Sequence, residues 1–223
     1  MRAHYVPPAQ FETFLDPEAA VWKEAGREEL KLEGTPLGMQ LTAHIRAAWA
    51  GRKIGSVARA SVAAVHDGQV LAFRLEWSAA NGGREPADNH EFTDGAAVVL
   101  PSSAGAPIIT MGAPGMAVNA WYWRADDERA RHVVAEGLGS SRTVDVELVR
   151  GRGTWKDGRW CVVIARALRV DTQEPIAQLE PGAETGFGVA VWDGNHGERA
   201  GIKAFSGPLW HELQLDAVPE TTR

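Results

Sequence analysis

The chain has almost no cysteine. One residue, Cys161, stands among 223, which excludes an internal disulfide framework and an all-cysteine metal site. C-x-x-C-H is absent, so covalent c-type haem attachment is excluded too. Neither G-x-x-x-x-G-K-[ST] nor G-x-G-x-x-G occurs, so no glycine-rich phosphate loop of those kinds exists. There is no G-x-S-x-G elbow for a nucleophilic serine and no H-E-x-x-H zinc motif. Excess positive charge is lacking: the net charge is −6, which argues against a nucleic-acid surface. The first residues, M-R-A-H-Y-V-P-P-A-Q-F-E, contain no apolar h-region and no small-residue cleavage site. The expectation from this is a cytoplasmic chain, a processed form, or one exported with a partner. Charge of either sign is missing between Asp94 and Arg124. That run is long enough to suggest a membrane span. Gly95, Pro101, Gly105, Pro107, Gly112, Pro114 and Gly115 would break such a helix repeatedly. It therefore reads as strands and loops packed on something apolar, and the chain as not membrane-spanning.

What is present is alternation. The length suits a single domain over 1–223 with its own core. Within it, 1–38 reads as an N-terminal arm with a short helix, and 216–223 as a frayed tail. Asp16-Pro17 predicts an N-cap and first helical position, with the helix running through Ala19, Ala20, Trp22 and Ala25 to Gly26. Glu29 to Leu32 is β-type. Met39, Leu41, Ala43 and Ile45 alternate with polar residues and predict a half-buried strand. Val62–Val65 and Val70–Trp77 flank Asp67-Gly68, a hairpin signal. A second hairpin runs from Val144, Val146 and Leu148 through Gly151-Arg152-Gly153, read as a turn, and Lys156-Asp157-Gly158-Arg159 to Trp160–Leu168. Phe187–Trp192 and His211–Leu215 are further strands. Ala79–Asp88 reads as a loop, and Ala125–Glu136 as a polar helix or ordered loop closed by Gly137. Many short strands with glycine turns predict an all-β, antiparallel β-sandwich with short helices in the N-terminal segment and loops.

Few residues stand out as chemistry. Cys161 lies in a strand pattern and reads as an inert small hydrophobe. His44 and His66 fall on polar sides of strands and His132 in a charged segment, so all three read as surface residues. Asp126-Asp127-Glu128 sits among Arg124, Arg129 and Arg131, a solvated, salt-bridged face. Nine tryptophans fit either a rigid pocket or a β core that uses them as filler. Met111 is an ordinary core filler by type, but it stands in a T-M-G-A-P-G loop. Lys203 reads as a snorkelling lysine, but its neighbours are Ile202 and Ala204-Phe205.

The order of several segments resembles a known family. They are D-P-E-A-A-V-W (Asp16 to Trp22), V-H-D-G-Q-V-L-A-F-R-L-E-W (Val65 to Trp77) and F-T-D-G-A-A-V-V-L-P (Phe92 to Pro101). Then follow M-G-A-P-G-M-A-V-N-A-W-Y-W-R-A-D (Met111 to Asp126), W-K-D-G-R-W-C-V-V-I-A-R-A-L (Trp155 to Leu168), V-A-V-W-D-G (Val189 to Gly194) and I-K-A-F-S (Ile202 to Ser206). Together they resemble the haem b, or gamma, subunit of type II dimethyl-sulfoxide-reductase-family molybdenum enzymes. Ethylbenzene dehydrogenase, dimethylsulfide dehydrogenase, selenate reductase and chlorate reductase belong to that group. The resemblance implies a β-sandwich similar to DOMON-type cytochrome domains, holding one non-covalent haem b per chain. It implies methionine and lysine as axial iron ligands, which fall on Met111 and Lys203. Met116 is the rival sulfur, and Met111 is preferred because it directly precedes Gly112 of the M-G step. Phe205, Trp121 and Trp123 are candidates to line the cofactor or a contact. With both axial positions filled, the haem would carry electrons and perform no substrate chemistry.

The implied partners are an iron–sulfur beta subunit, a molybdopterin alpha subunit and an external carrier, cytochrome c or quinone-linked. Molybdopterin and iron–sulfur clusters would reside in those partners, so the chain is not an enzyme by itself. The implied location is the periplasm, against the cytoplasmic alternative above. The departure from the family is at Ala79–Asp88, where small residues stand in place of an Asp soon after Trp77. The rival reading from another class is a carbohydrate-binding β-sandwich module without haem, its tryptophans stacking on sugar rings.

Overall fold

A computed structural model describes residues 1–83, 91–144 and 148–219. Fourteen strands are present among them: β1 (Arg2–Tyr5), β2 (Arg27–Lys31), β3 (Glu33–Gly34), β4 (Arg59–His66), β5 (Val70–Ser78), β6 (Gly95–Pro101), β7 (Val118–Arg124), β8 (Asp127–Ala135), β9 (Arg142–Thr143), β10 (Val149–Lys156), β11 (Arg159–Ala167), β12 (Glu184–Trp192), β13 (Ala204–Phe205) and β14 (His211–Leu215). Two short helices, α1 (Phe11–Leu15) and α2 (Ala43–Ala48), complete the regular structure with three 3₁₀ turns.

The strands form two layers. One runs β10-β11-β5-β4-β1-β14, with β2 on β4; the other runs β12-β6-β7-β8-β9, with β13 on β12. Strand β12 belongs to both. Its first half pairs with β14 and its second half with β6 and β13. The pairing is antiparallel except at β1, which lies parallel to both β4 and β14. The β-sandwich expectation is therefore borne out, with one parallel insertion.

Alternation decides which side chains fill the space between the layers. Leu71, Phe73, Leu75 and Trp77 of β5 meet Ala96, Val98 and Leu100 of β6, and Trp121 and Trp123 of β7. Aromatic rings pack edge to face at the centre: Phe73 on Trp121 at 5.8 Å and Trp123 on Trp160 at 5.0 Å.

Each layer also has an apolar outer face, because its strands carry small or aliphatic residues on both sides. The outer face of the first layer is covered by Val6, Phe14, Leu15 and Trp22, which pack on Ala63, Val65, Ala72, Val163 and Ala165. The first 38 residues are thus more than an arm: three of their segments are strands of the sandwich.

Several sequence expectations are corrected. The helix near Asp16 precedes it: Asp16 ends α1, and its carboxylate accepts the Glu18 N–H at 3.0 Å, leaving Ala20–Trp22 as a 3₁₀ turn. The alternation at Met39–Ile45 is not a strand. Thr42 caps α2 by accepting the Ile45 N–H at 3.2 Å. Gly151-Arg152-Gly153 lies inside β10, and the turn is Asp157-Gly158, both at positive φ. Asp127–Ala135 is strand β8. Its ion pairs Arg124–Asp126, Arg129–Asp127 and Arg131–Asp127 are formed as expected. His66 and His132 are fully buried, while His44 is exposed on α2. The tail is pinned at its start, where Asp216 pairs with Arg2 at 2.6 Å. Residues 220–223, Val146 and half of the Ala79–Asp88 loop, residues 84–88, lie outside the described residues.

Candidate functional site

The outer face of the second layer is the counterpart of the one covered by the N-terminal segment. Its strands expose Ala97 and Val99 (β6), Val118, Ala120 and Tyr122 (β7), Val133 and Ala135 (β8), and Gly188, Ala190 and Trp192 (β12). Two loops cover it. At one end Met111 packs with Val99, Ala106, Val118, Ala120 and Ala135. At the other end Phe205 packs with Ala97 and Ala190, joined by Ile109, Tyr122 and Trp192. Lys203 belongs to the second group, with Nζ 5.4 Å from the Trp192 ring centre. Val99 and Ala97 are two residues apart on one strand, so the clusters are neighbours along the sheet, roughly 7 Å apart. The floor between them is built of small side chains.

The methionine loop is held by backbone bonds. Met111 N–H donates to Ile108 O at 2.9 Å, Gly112 N–H to Pro107 O at 2.8 Å, and Gly137 N–H to Met111 O at 2.9 Å. Met111 itself has φ 56°, a left-handed conformation unfavourable for a side chain of this kind. The loop sits close on the sheet because Gly188 has no side chain. A Cβ there would lie 2.2 Å from Ile108 Cδ1.

The lysine loop is held from the N-terminal side. β13 pairs with β3. Thr35 Oγ1 and Gln40 Nε2 both donate to Gly201 O, at 2.6 and 3.0 Å. Trp192 Nε1 donates to Ala200 O at 3.0 Å. Ala200 also has positive φ, 50°, so each covering loop contains one non-glycine residue in the left-handed region. Beneath the loop, fully buried Glu198 accepts from Gly55, Ser56 and Asp193 N–H groups at 2.8, 2.9 and 3.1 Å.

Electrostatics separates Lys203 from ordinary lysines. By surface area it is only half-buried. Its surroundings are nevertheless dense enough that loss of hydration pushes its pKa down to about 8. Among the described residues no carboxylate pairs with it. Burial also raises Tyr122. Asp94, at the head of the uncharged run, is raised to about 6 by burial, although Trp160 Nε1 and Gly194 N–H each donate to it at 2.8 Å.

The sequence candidates divide accordingly. Met111, Lys203 and Phe205 come to one face. Met116 sits at the loop tip, 37% exposed. Trp123, offered above as a lining residue, faces the inter-layer core with Trp121 and Trp160 and is not part of this site. The strand aromatics on the site face include Tyr122 and Trp192, with ring centres 5.0 Å apart. Strand parity would have selected Tyr122 once the register was known. Thioether and amine donors over an apolar floor of small residues are a chemically suitable set for a flat apolar metallocofactor.

Comparison with known proteins gives the same direction. The family profile described as Ethylbenzene dehydrogenase matches residues 19–146 and 140–204. Chlorate reductase subunit gamma of Ideonella dechloratans is 36% identical over 200 residues, covering 87% of this chain and 77% of that protein. A protein of Haloferax mediterranei described as "Putative respiratory nitrate reductase heme subunit ORF7" is 27% identical over 205 residues, covering 92% and 69%. In fold, the chain is similar to a family 9 carbohydrate-binding module of Caldicellulosiruptor kristjanssonii solved with glucose. The TM-score is 0.55 at 11% identity, over 99% of this chain and 97% of that one. At that identity the likeness concerns the fold alone.

Proposed function

The chain belongs to the ethylbenzene dehydrogenase family, and from that premise we propose that it is a non-catalytic haem b electron-transfer subunit of a molybdopterin oxidoreductase. The observation that carries the reading is the arrival of Met111 and Lys203, from loops far apart in sequence, over one apolar face. The names of two relatives, a gamma subunit and a heme subunit, support it.

In this reading Met111 Sδ and Lys203 Nζ would hold the iron, and Ala97, Ala120, Ala190 and Phe205 would be its apolar surroundings. When bound, haem would supply a one-electron couple. The work of this chain is to hold and insulate it. Lys203 must offer a neutral amine, and its lowered pKa reduces the cost of losing the proton. Thioether donation favours ferrous iron and raises the potential. With a thioether and an amine both supplied by this chain, the bound group would serve electron transfer rather than substrate chemistry. Substrate chemistry then belongs to a molybdopterin alpha subunit, and electrons pass through an iron–sulfur beta subunit and an external carrier, cytochrome c or quinone-linked. Periplasmic location is part of the proposal, and fractionation of the tagged native complex tests it.

The carbohydrate-binding alternative has the fold likeness behind it. It needs a set of exposed aromatic platforms, yet six of the nine tryptophans are buried, Trp192 and Trp210 are half-buried, and Trp155 alone is exposed, at 37%. The test is expression with haem supply. A Soret band, with a ferrous form that fails to bind carbon monoxide readily, is expected. Haem-free protein that is retained on immobilised glycans would overturn the reading in favour of the binding module.

A further inference from the structure

The segment before the lysine loop is unlike the rest of the chain. From Gly34 to His66 there is no acidic residue, while Arg46, Arg52, Lys53 and Arg59 are all basic, in a protein of net charge −6. Helix α2 lies in this segment, and none of its six residues is buried. A helix this short gains little stability by itself and ordinarily depends on packing. Leu41, just before its cap, is 63% exposed. Leu41 lies against Gly139, whose neighbour Leu138 is 41% exposed. Arg46, Arg52 and Lys53 are all exposed.

This surface is fastened to both covering loops. Gln40 donates to Gly201 O, and Arg46 donates to Gln40 O. Arg52 donates to His196 O at 3.2 Å and rests on the Trp49 ring. Gly137, two residues before Gly139, donates to Met111 O. Of the neighbouring carboxylates, Glu198 is fully buried and Asp193 accepts from Ser56 Oγ at 2.8 Å, while Glu33 and Glu136 are exposed. Among the described residues no ion pair joins Arg46, Arg52 or Lys53 to a carboxylate, so their charge is not neutralised by direct pairing.

We propose that Leu41, α2 and the Arg52-Lys53 turn form the docking surface for an acidic redox protein, which exchanges one electron with the site described above. This rests on the electron-transfer reading. The electron leaves the reduced centre of one protein and reduces the oxidised centre of the other, with no bond made or broken. The basic residues would steer a carboxylate-rich face into place, and Leu41 and Leu138 would give it an apolar contact.

The test uses the full chain and an acidic plant-type [2Fe–2S] ferredoxin as the probe. Binding is read by surface plasmon resonance at low and high ionic strength. Reduction of the haem-loaded chain is read by stopped flow. R46E/R52E/K53E is expected to weaken binding and slow reduction by about tenfold or more at low salt. Leu41→Asp is expected to weaken binding at both salt concentrations. R152E/K156E/R159E, the same charge change on the outer face of β10–β11, is expected to have a much smaller effect. Equal loss in both triple variants, no loss in either, or no ferredoxin binding by wild type would overturn the proposal. So would self-association of the wild type through this surface, seen by analytical ultracentrifugation as a dimer that R46E/R52E/K53E loses. Absence of a Soret band in wild type would overturn the electron-transfer reading and this proposal together. A Soret band without patch-dependent binding would overturn this proposal alone.

Discussion

Met111 holds a backbone conformation that its side chain disfavours, and backbone hydrogen bonds at Met111, Gly112 and Gly137 hold the loop around it. Such an outlier persists where surrounding structure over-determines it, and it clusters at functional sites. The strain and the sulfur can be separated. Met111→Gly is expected to be more stable than Met111→Ala by about 1 kcal/mol in urea unfolding of the haem-free chain, because glycine adopts positive φ freely. Both variants should lose the sulfur donor equally. Equal stability of the two would show that the conformation carries no cost.

Two buried titrations give opposite pH signatures. Burial pushes the Asp94 carboxyl from its ordinary 3.8 up to about 6 in the folded chain. Between those values the folded state binds the proton that the unfolded state has released. Stability therefore falls as pH rises through that window. Lys203 runs from 10.5 down to about 8. Between about 8 and 10.5 the folded haem-free chain binds fewer protons, so its contribution rises with pH. Melting temperatures against pH should lose the acidic slope in Asp94→Asn and the alkaline slope in Lys203→Met. Unchanged slopes would contradict these assignments. Met111 and Lys203 were legible in the sequence through the family resemblance; by type alone they read as a core filler and a snorkelling lysine, set apart only by a Gly/Pro loop and by apolar neighbours. Tyr122, Trp192 and the alanine floor were not, since nothing marks which face of a strand is outer until register is known. The inward direction of Trp123 was hidden for that same reason.

Elements were legible where alternation was closed by a strong turn. The β4–β5 and β10–β11 hairpins carry Asp67-Gly68 and Asp157-Gly158, and both formed. Strand β8 was hidden because its outer side begins with Arg129 and Arg131 before Val133 and Ala135, and the charged start mimics a polar helix. Asp16 misled because its carboxylate closes a local turn on Glu18 instead of capping a helix. The glycines inside strands mark close approach. A Cβ at Gly153 would lie 2.2 Å from Trp123 Cζ2. Gly153→Ala is therefore expected to destabilise the chain by about 1–3 kcal/mol, with Trp123 fluorescence perturbed. Gly188→Ala pushes instead on Ile108, at the foot of the methionine loop. Its expected effect is weakened haem retention with a smaller loss of stability than Gly153→Ala. The reverse order in chemical denaturation and haem-transfer assays would contradict this division of labour.

At the scale of the molecule, the sandwich has two covered outer faces. The N-terminal segment closes one, and the loops bearing Met111 and Lys203 close the other. A carbohydrate-binding module shares the architecture, so the scaffold alone does not decide function. The site is built largely from the uncharged run between Asp94 and Arg124. It supplies β6, most of β7 and the methionine loop, and thus much of the floor and one wall of the site. Composition marked it as apolar and broken. Only the tertiary arrangement brings Lys203 to the same face.

The central claim is that pairing. The most direct measurement is near-infrared magnetic circular dichroism with low-temperature EPR, on the haem-loaded wild type, Met111→Ala and Lys203→Ala. Low-spin methionine–lysine signatures are expected in wild type, with a different ligand-field spectrum in each variant. A variant that binds haem and keeps the wild-type spectrum would contradict the assignment of that residue.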